Sequence, residues 1–220
     1  MCVICVSKKG VRQPTENEIR EMWTTNPHGA GYMFVNDGQV EIHKGFMNLK
    51  DFMRSIKAEN FTDEDVVIYH FRISTQAGVT PEMTHPFPLS SDLADMKILD
   101  CLCSVGIVHN GIIRITSTKD KEYSDTALFI AEYLPALIRD TADITDKRVK
   151  RCIKGLIDSK MALLNGDGDV SIVGDFWAND DGVMFSNKHF MATPEPRGFS
   201  RTWALGELYN YPYKTAKIYR

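Results

Sequence analysis

The sequence predicts an α+β protein with helices layered on sheets in one domain. Apolar strand-like runs stand both early and late in the chain, and pairs of helical stretches lie between them. Few strands alternate regularly with helices, which argues against a doubly wound parallel sheet. No repeat, linker or low-complexity segment divides the 220 residues, of which 43% are hydrophobic and 25% charged. That length and balance suit one well-packed globular domain.

The elements follow in order. MCVICV reads as a buried first strand. TENEIREMWTTN reads as a helix capped by Thr15, with Ile19, Met22 and Trp23 on one side. NPHGAG is a loop, and GYMFVNDGQVEIHKG is a hairpin turning at Asn36-Asp37-Gly38. NLKDFMRSIKAEN is a second helix, capped by Asn48 and burying Leu49, Phe52, Met53 and Ile56. VVIYHFR is a third apolar strand that ends on a polar cluster. From Ser74 to Ser91, Thr, Pro, Gly and Ser replace periodicity, which predicts a long loop of the kind that tends to be functional or disordered.

SVGIVHNG is another strand ending in a turn. SDTALFIAEYLPALIRD is a helix with Ser124 as N-cap and a distortion expected at Pro135. DKRVKRCIKGLIDSK is a further helix, and residues 161–190 are short strands joined by Gly-Asp turns. The Asn165-Gly166-Asp167-Gly168-Asp169 run reads as a hairpin turn. A calcium loop would need glycine where Val170 stands and an acid at its end.

Charge and composition exclude several function classes. A net charge of −3 with no basic stripe leaves no footprint for nucleic acid, and DKRVKRCIKG reads as an exposed helix face. No apolar run approaches the ~18 residues of a membrane span, and the first apolar run stops at SKKG, unlike a signal peptide. Five cysteines, an odd number, do not make a secreted disulfide framework, so a reducing cytoplasm is the expected location. Zinc is not expected. Strand alternation sends Cys2 and Cys5 to opposite faces, and the Cys101-Leu102-Cys103 pair lacks structural-zinc spacing.

Cys2 follows the initiator methionine directly. Removal of Met1 would expose a thiol and an α-amine on one residue, and that amine titrates near pH ~7.7–8.0. Nucleophile and general base would then share a residue. The bland alternative is a small buried residue in a strand. Three further polar clusters punctuate apolar elements: Arg72 after VVIYHF, Asn110-Gly111 after GIVH, and Ser124-Asp125-Thr126 at a helix start. Singly they read as a surface arginine, a tight turn and a helix cap.

As a set, Cys2, HGAGY at 28–32, HFRIST at 70–75, THPFP at 84–88, GIVHNGII at 106–113 and SDTALF at 124–129 resemble the class II, N-terminal-nucleophile glutamine amidotransferases. The motifs fall in that family's order over residues 2–190, and HNG followed by SDT is the specific part. The resemblance implies a four-layer αββα sandwich in which Cys2 attacks the side-chain amide of glutamine while its α-amine shuttles the proton. It implies an oxyanion hole made of Asn110 and the Gly111 backbone N–H. It places Arg72 on the substrate α-carboxylate with Thr75 nearby, and Asp125 on the α-ammonium. No metal or cofactor is implied. The products are glutamate and ammonia, formed through a γ-glutamyl thioester, with the ammonia passed to a separate synthetase.

The residue types suit those roles. A guanidinium pairs with a carboxylate through two parallel hydrogen bonds. An amide and a backbone N–H suit a developing oxyanion, and a thiol is already a few per cent thiolate near neutrality. Two positions depart from the family: Ile73 stands where it commonly has an aromatic residue, and Gln76 where it often has histidine. Residues 191–220 are expected to be a tail packing on the domain or docking a partner, with Tyr209, Tyr211 and Tyr213 serving either. Two other readings compete: an N-terminal-cysteine hydrolase of another amide, and a non-catalytic binding or regulatory subunit.

Overall fold

A computed structural model describes residues 1–74, 79–114 and 122–191. Among them are four α-helices: α1 (Glu16–Thr25), α2 (Leu49–Glu59), α3 (Asp125–Leu137) and α4 (Lys147–Ile157). The strands are β1 (Val3–Ser7), β2 (Ala30–Asn36), β3 (Gln39–Phe46), β4 (Val67–Phe71), β5 (Phe87–Pro88) and β6 (Asp100–Cys103). They continue with β7 (Val105–Asn110), β8 (Lys160–Asn165), β9 (Val170–Val173), β10 (Trp177–Ala178) and β11 (Met184–Phe185). One sheet runs β10-β11-β1-β4-β2-β3-β6 and the other β5-β7-β8-β9. Every pairing is antiparallel. The protein is thus mixed α+β.

Alternation along the strands sorts the core into three apolar clusters. Val3 and Cys5 of β1 join Ile19, Met22, Phe52 and Ile56 of α1 and α2. Ile4 and Val6, on the opposite face of β1, join Met33, Ile42 and Ile68 and meet Val108, Ala162 and Leu164 of the second sheet. Ile107 and Leu163 turn to the other side of that sheet, where Phe129, Leu134 and Ile153 of α3 and α4 cover them. Burial of this kind stabilises by roughly 25 cal/mol per Å² of apolar surface.

Local chemistry sets the helix starts. Thr15 accepts the Glu18 N–H while the Glu18 carboxylate returns to the Thr15 N–H, a capping box. Asn48 accepts from the Asp51 N–H, and Ser124 from the Ala127 N–H. Pro135 does not break α3 in its middle. It lies in the last turn, two residues before the end at Leu137. The run at 165–169 is the turn of the β8–β9 hairpin.

The expected loop at 74–91 is less plain than its sequence. Its described residues hold a 3₁₀ turn at Pro81–Met83 and strand β5, whose Phe87 pairs with Ile107 and is fully buried. A two-residue strand has no period to read, and only its partner reveals it. Residues 192–220, nearly all of the expected tail, lie outside the described residues.

Candidate active site

Strand register brings the first two clusters together. Val3 pairs with Phe71, so Cys2 and Arg72 are the next residues outward at one end of the β1–β4 ladder. The ladder is held there by HGAGY: the Arg72 N–H donates to the Gly29 carbonyl at 2.8 Å, and the His28 N–H to the Arg72 carbonyl at 3.0 Å. Arg72 is only 5% exposed, so it is no surface arginine. Burial lowers the pKa of its guanidinium, and the charges of Cys2 and Asp125 oppose that shift, which puts both within electrostatic reach.

The Cys2 thiol is half-buried and donates to the Ile73 carbonyl at 3.7 Å. Burial raises its pKa above the ordinary thiol value, and the positive charges of the N-terminal ammonium and Arg72 only partly offset the effect. The fraction of free thiolate at neutrality is therefore smaller than residue type alone suggests, so a base matters more. Cys5, on the opposite face of β1, is fully buried among the apolar residues under α1, and burial pushes its thiol well up.

Asn110 ends β7 in the other sheet, opposite Lys160 of β8, and is 3% exposed. Ser186, just past β11, joins it to β1. The Ser186 N–H donates to the Ile4 carbonyl, the Ser186 Oγ accepts the Ile4 N–H at 2.9 Å, and Asn110 Nδ2 lies 2.8 Å from the same Oγ. Lys160 donates its ammonium to the Ser186 carbonyl, and Asn187 Nδ2 donates to the Cys2 carbonyl. The segment at 186–187 thus fixes the backbone on either side of Val3 and the amide of Asn110 at once. Sequence reasoning missed Ser186, Asn187 and Lys160. The signal was present, since VMF ends on Ser-Asn as VVIYHF ends on Arg72.

Asn110 carries one unbalanced atom: Oδ1 is buried and has no hydrogen-bond partner among the described residues. Ser186 Oγ meanwhile receives two donors. Heavy-atom positions do not distinguish the amide O from N. With the amide turned over, the Ser186 hydroxyl donates to Oδ1 and Nδ2 occupies the unpartnered position. Both oxygens of the pair are then matched, and an N–H₂ is left as a donor without an acceptor among the described residues. Gly111 follows at φ +151, where a Cβ would come 2.5 Å from that of Ser159, so only glycine fits.

Asp125 is the first residue of α3, one past the Ser124 cap. Its Oδ2 accepts the Ile113 N–H at 2.7 Å and its Oδ1 the Thr126 N–H at 2.8 Å. The carboxylate thereby ties the chain after HNG to the start of α3, with lone pairs to spare. Thr75 and Gln76 lie outside the described residues.

Three buried histidines line this end of the sheets. His109 bonds Thr126 Oγ1 at 2.9 Å and Ser159 Oγ at 2.7 Å, and its carbonyl accepts from His70 Nε2 at 3.0 Å. The His70 ring lies 4.2 Å from that of His85. Burial pushes His70 down to about 3 and His109 down to about 4, and lowers His85 strongly, so all three are neutral near pH 7.

Among the described residues, no group of three or more His, Cys, Asp or Glu side chains is arranged to hold a metal ion. No described helix is long and apolar enough to cross a membrane. No protein-family model and no curated protein matches the chain.

Proposed function

We propose that the protein is a cysteine-dependent glutamine amidohydrolase of the N-terminal-nucleophile type, built on that class's four-layer αββα sandwich. The observation that supports this most is that Cys2 and buried Arg72 stand side by side at one end of the β1–β4 ladder, with Asn110 joined to β1 through Ser186. Met1 is 66% exposed and open to an aminopeptidase. Its removal makes the Cys2 nitrogen an amine, the base that a thiol with a raised pKa requires.

In this reading the α-amine takes the thiol proton, and Sγ attacks the side-chain carbonyl carbon of glutamine. The turned-over Asn110 Nδ2 and the Gly111 N–H stabilise the tetrahedral oxyanion. The proton passes to the leaving nitrogen, ammonia departs, and water hydrolyses the γ-glutamyl thioester to glutamate. Arg72 holds the α-carboxylate as a bidentate partner, with Thr75 beside it, and Asp125 takes the α-ammonium. Ammonia would serve a separate synthetase subunit, and a reducing cytoplasm would keep the nucleophile as a thiol. With Met1 retained the nitrogen is acylated and cannot shuttle a proton, and the chain would be a binding or regulatory subunit.

Intact mass and a glutaminase assay on one sample test this reading. The active protein should begin at Cys2, Cys2→Ala should abolish turnover in a folded protein, and Cys5→Ala should remain active. Full retention of Met1 in an active enzyme, or loss of activity in Cys5→Ala alone, would overturn it.

A further inference from the structure

Among the described residues, strand β6 is the edge of the seven-stranded sheet and pairs with β3 alone. Cys101 stands opposite Ile42 and Cys103 opposite Val40, so the two thiols share one face while Leu102, 55% exposed, takes the other. Both cysteines pack on the rim of the cluster between the sheets and are half-buried, within reach of small molecules in solvent. Lys44 lies on the same face of β3, one alternation beyond Ile42. Its ammonium is buried, donates to the Glu82 and Met96 carbonyls, and sits 4.0 Å over the ring of Phe87.

The two thiols differ in acidity. The neighbouring Cys103 thiol is the main influence lowering the Cys101 pKa. The charge of Lys44 adds to it, against burial and the carboxylates of Asp95 and Asp100. Cys103 is raised, first by Cys101 and then by burial, and it donates to the Val105 carbonyl at 3.3 Å. Burial pushes Lys44 down to about 7. A thiol of lowered pKa with a second thiol two residues away on the same strand face is the arrangement of an exchange-active pair.

Spacing sets how tightly the pair would hold a bond. Two strand steps separate the Cα atoms by about 6.4–6.8 Å, the upper limit for a disulfide. Oxidation must shorten that span by bending β6. A four-residue edge strand can yield in this way, and a disulfide under strain is easily reduced.

We propose that Cys101 and Cys103 form a reversible dithiol switch that exchanges with low-molecular-weight disulfides of the glutathione type. The Cys101 thiolate attacks one sulfur of the disulfide, breaks its S–S bond and releases one thiol. Cys103 then gives up its proton and attacks the Cys101 sulfur of the mixed disulfide, releasing the second thiol. One protein dithiol and one small disulfide become one protein disulfide and two small thiols. The switch is independent of the reaction proposed for Cys2.

The test equilibrates the full chain with mixtures of reduced and oxidised glutathione, alkylates remaining thiols and maps peptides by mass. The expected product is a 101–103 peptide lacking two hydrogens and reverting under reduced glutathione, while Cys5 stays a thiol. Cys103→Ser should stop at one glutathione on Cys101, and Cys101→Ser should leave Cys103 largely unmodified. Alkylation near neutral pH should reach Cys101 ahead of the exposed Cys152, several-fold faster. A glutathione adduct that persists on wild-type Cys101, equal trapping in both serine variants, or earlier reaction at Cys152 would each overturn the proposal.

Discussion

The paired sheets end in two ways. At one end the strands turn in hairpins, and polar side chains there bond mostly close by in sequence, although Asn165 Nδ2 also reaches the Thr141 carbonyl 24 positions away. Asn165 Oδ1 accepts the N–H groups of Asp167 and Asp169, and exposed Asn36 bonds Glu41. At the other end the chain also stops on Asn-Gly, but the partners are remote: Asn110 to Ser186 spans 76 positions, Ile4 to Ser186 spans 182, and Cys2 to Asn187 spans 185. A residue bonded to its own neighbours builds a turn. One held buried by distant segments is positioned for something other than the turn, because burying polar groups is costly unless each is matched.

The largest expected difference between the two ends is kinetic. Asn110→Ala removes one of the two proposed oxyanion donors and should lower kcat about a hundredfold or more, with a smaller change in KM. Asn165→Ala, at the hairpin end, should reduce stability by about 1–2 kcal/mol through its lost turn bonds and leave kcat nearly alone. Steady-state glutaminase kinetics beside urea unfolding separate the two. Equal losses of kcat would erase the distinction and return Asn110-Gly111 to an ordinary turn.

The same contrast explains what could be read from the sequence. Caps at Thr15, Asn48 and Ser124 are satisfied within three residues, and the faces of β1, α1 and α2 repeat at a regular period, so they were legible. Cys2, Arg72, Asn110, Gly111 and Asp125 stood out because polar residues interrupt apolar runs there. Ser186 and Asn187 carry the same signal after VMF, but what they and Lys160 bond to is set by how the sheets meet, which the sequence does not show. Strands β5 and β6 were missed for a related reason, being too short to show a period. The raised pKa of Cys2 is likewise a property of burial, which residue type does not carry.

A second, smaller difference is steric. Gly38 has φ +76, and a Cβ there would meet nothing within 4 Å, so Gly38→Ala costs only the backbone conformation, about 1–2 kcal/mol. At Gly111 the Cβ would press on Ser159, whose Oγ holds His109. Strain and overpacking each add roughly 1–3 kcal/mol, so Gly111→Ala should cost about 2 kcal/mol or more. Thermal unfolding of the two variants measures the gap. Equal costs would mean that Ser159 yields freely and that this end is less rigid than its bonds suggest.

The smallest expected effect is a slope. His70, His85 and His109 cluster at the remote-bonded end, and burial holds all three neutral in the folded chain. An unfolded histidine titrates near 6.5. As pH falls below ~6.5 the unfolded chain takes up protons that the folded chain refuses, until the folded groups titrate, at about 4 for His109 and about 3 for His70. The stability given by neutral burial is therefore complete above the unfolded pKa and is lost on acidification, by up to about 1.4 kcal/mol per pH unit for each histidine. His85 isolates one share of that slope. Neither ring nitrogen has a partner among the described residues, and its ring packs 4.8 Å from Phe87, edge to face. His85→Phe should thus change stability by about 1 kcal/mol or less at pH 7. Between pH 6 and pH 4 it should flatten the decline, so that the variant gains on wild type as the solution is acidified. Urea unfolding at pH 7, 6, 5 and 4 checks this. Parallel declines would mean that His85 takes up its proton inside the fold, and that this end is not closed to charge.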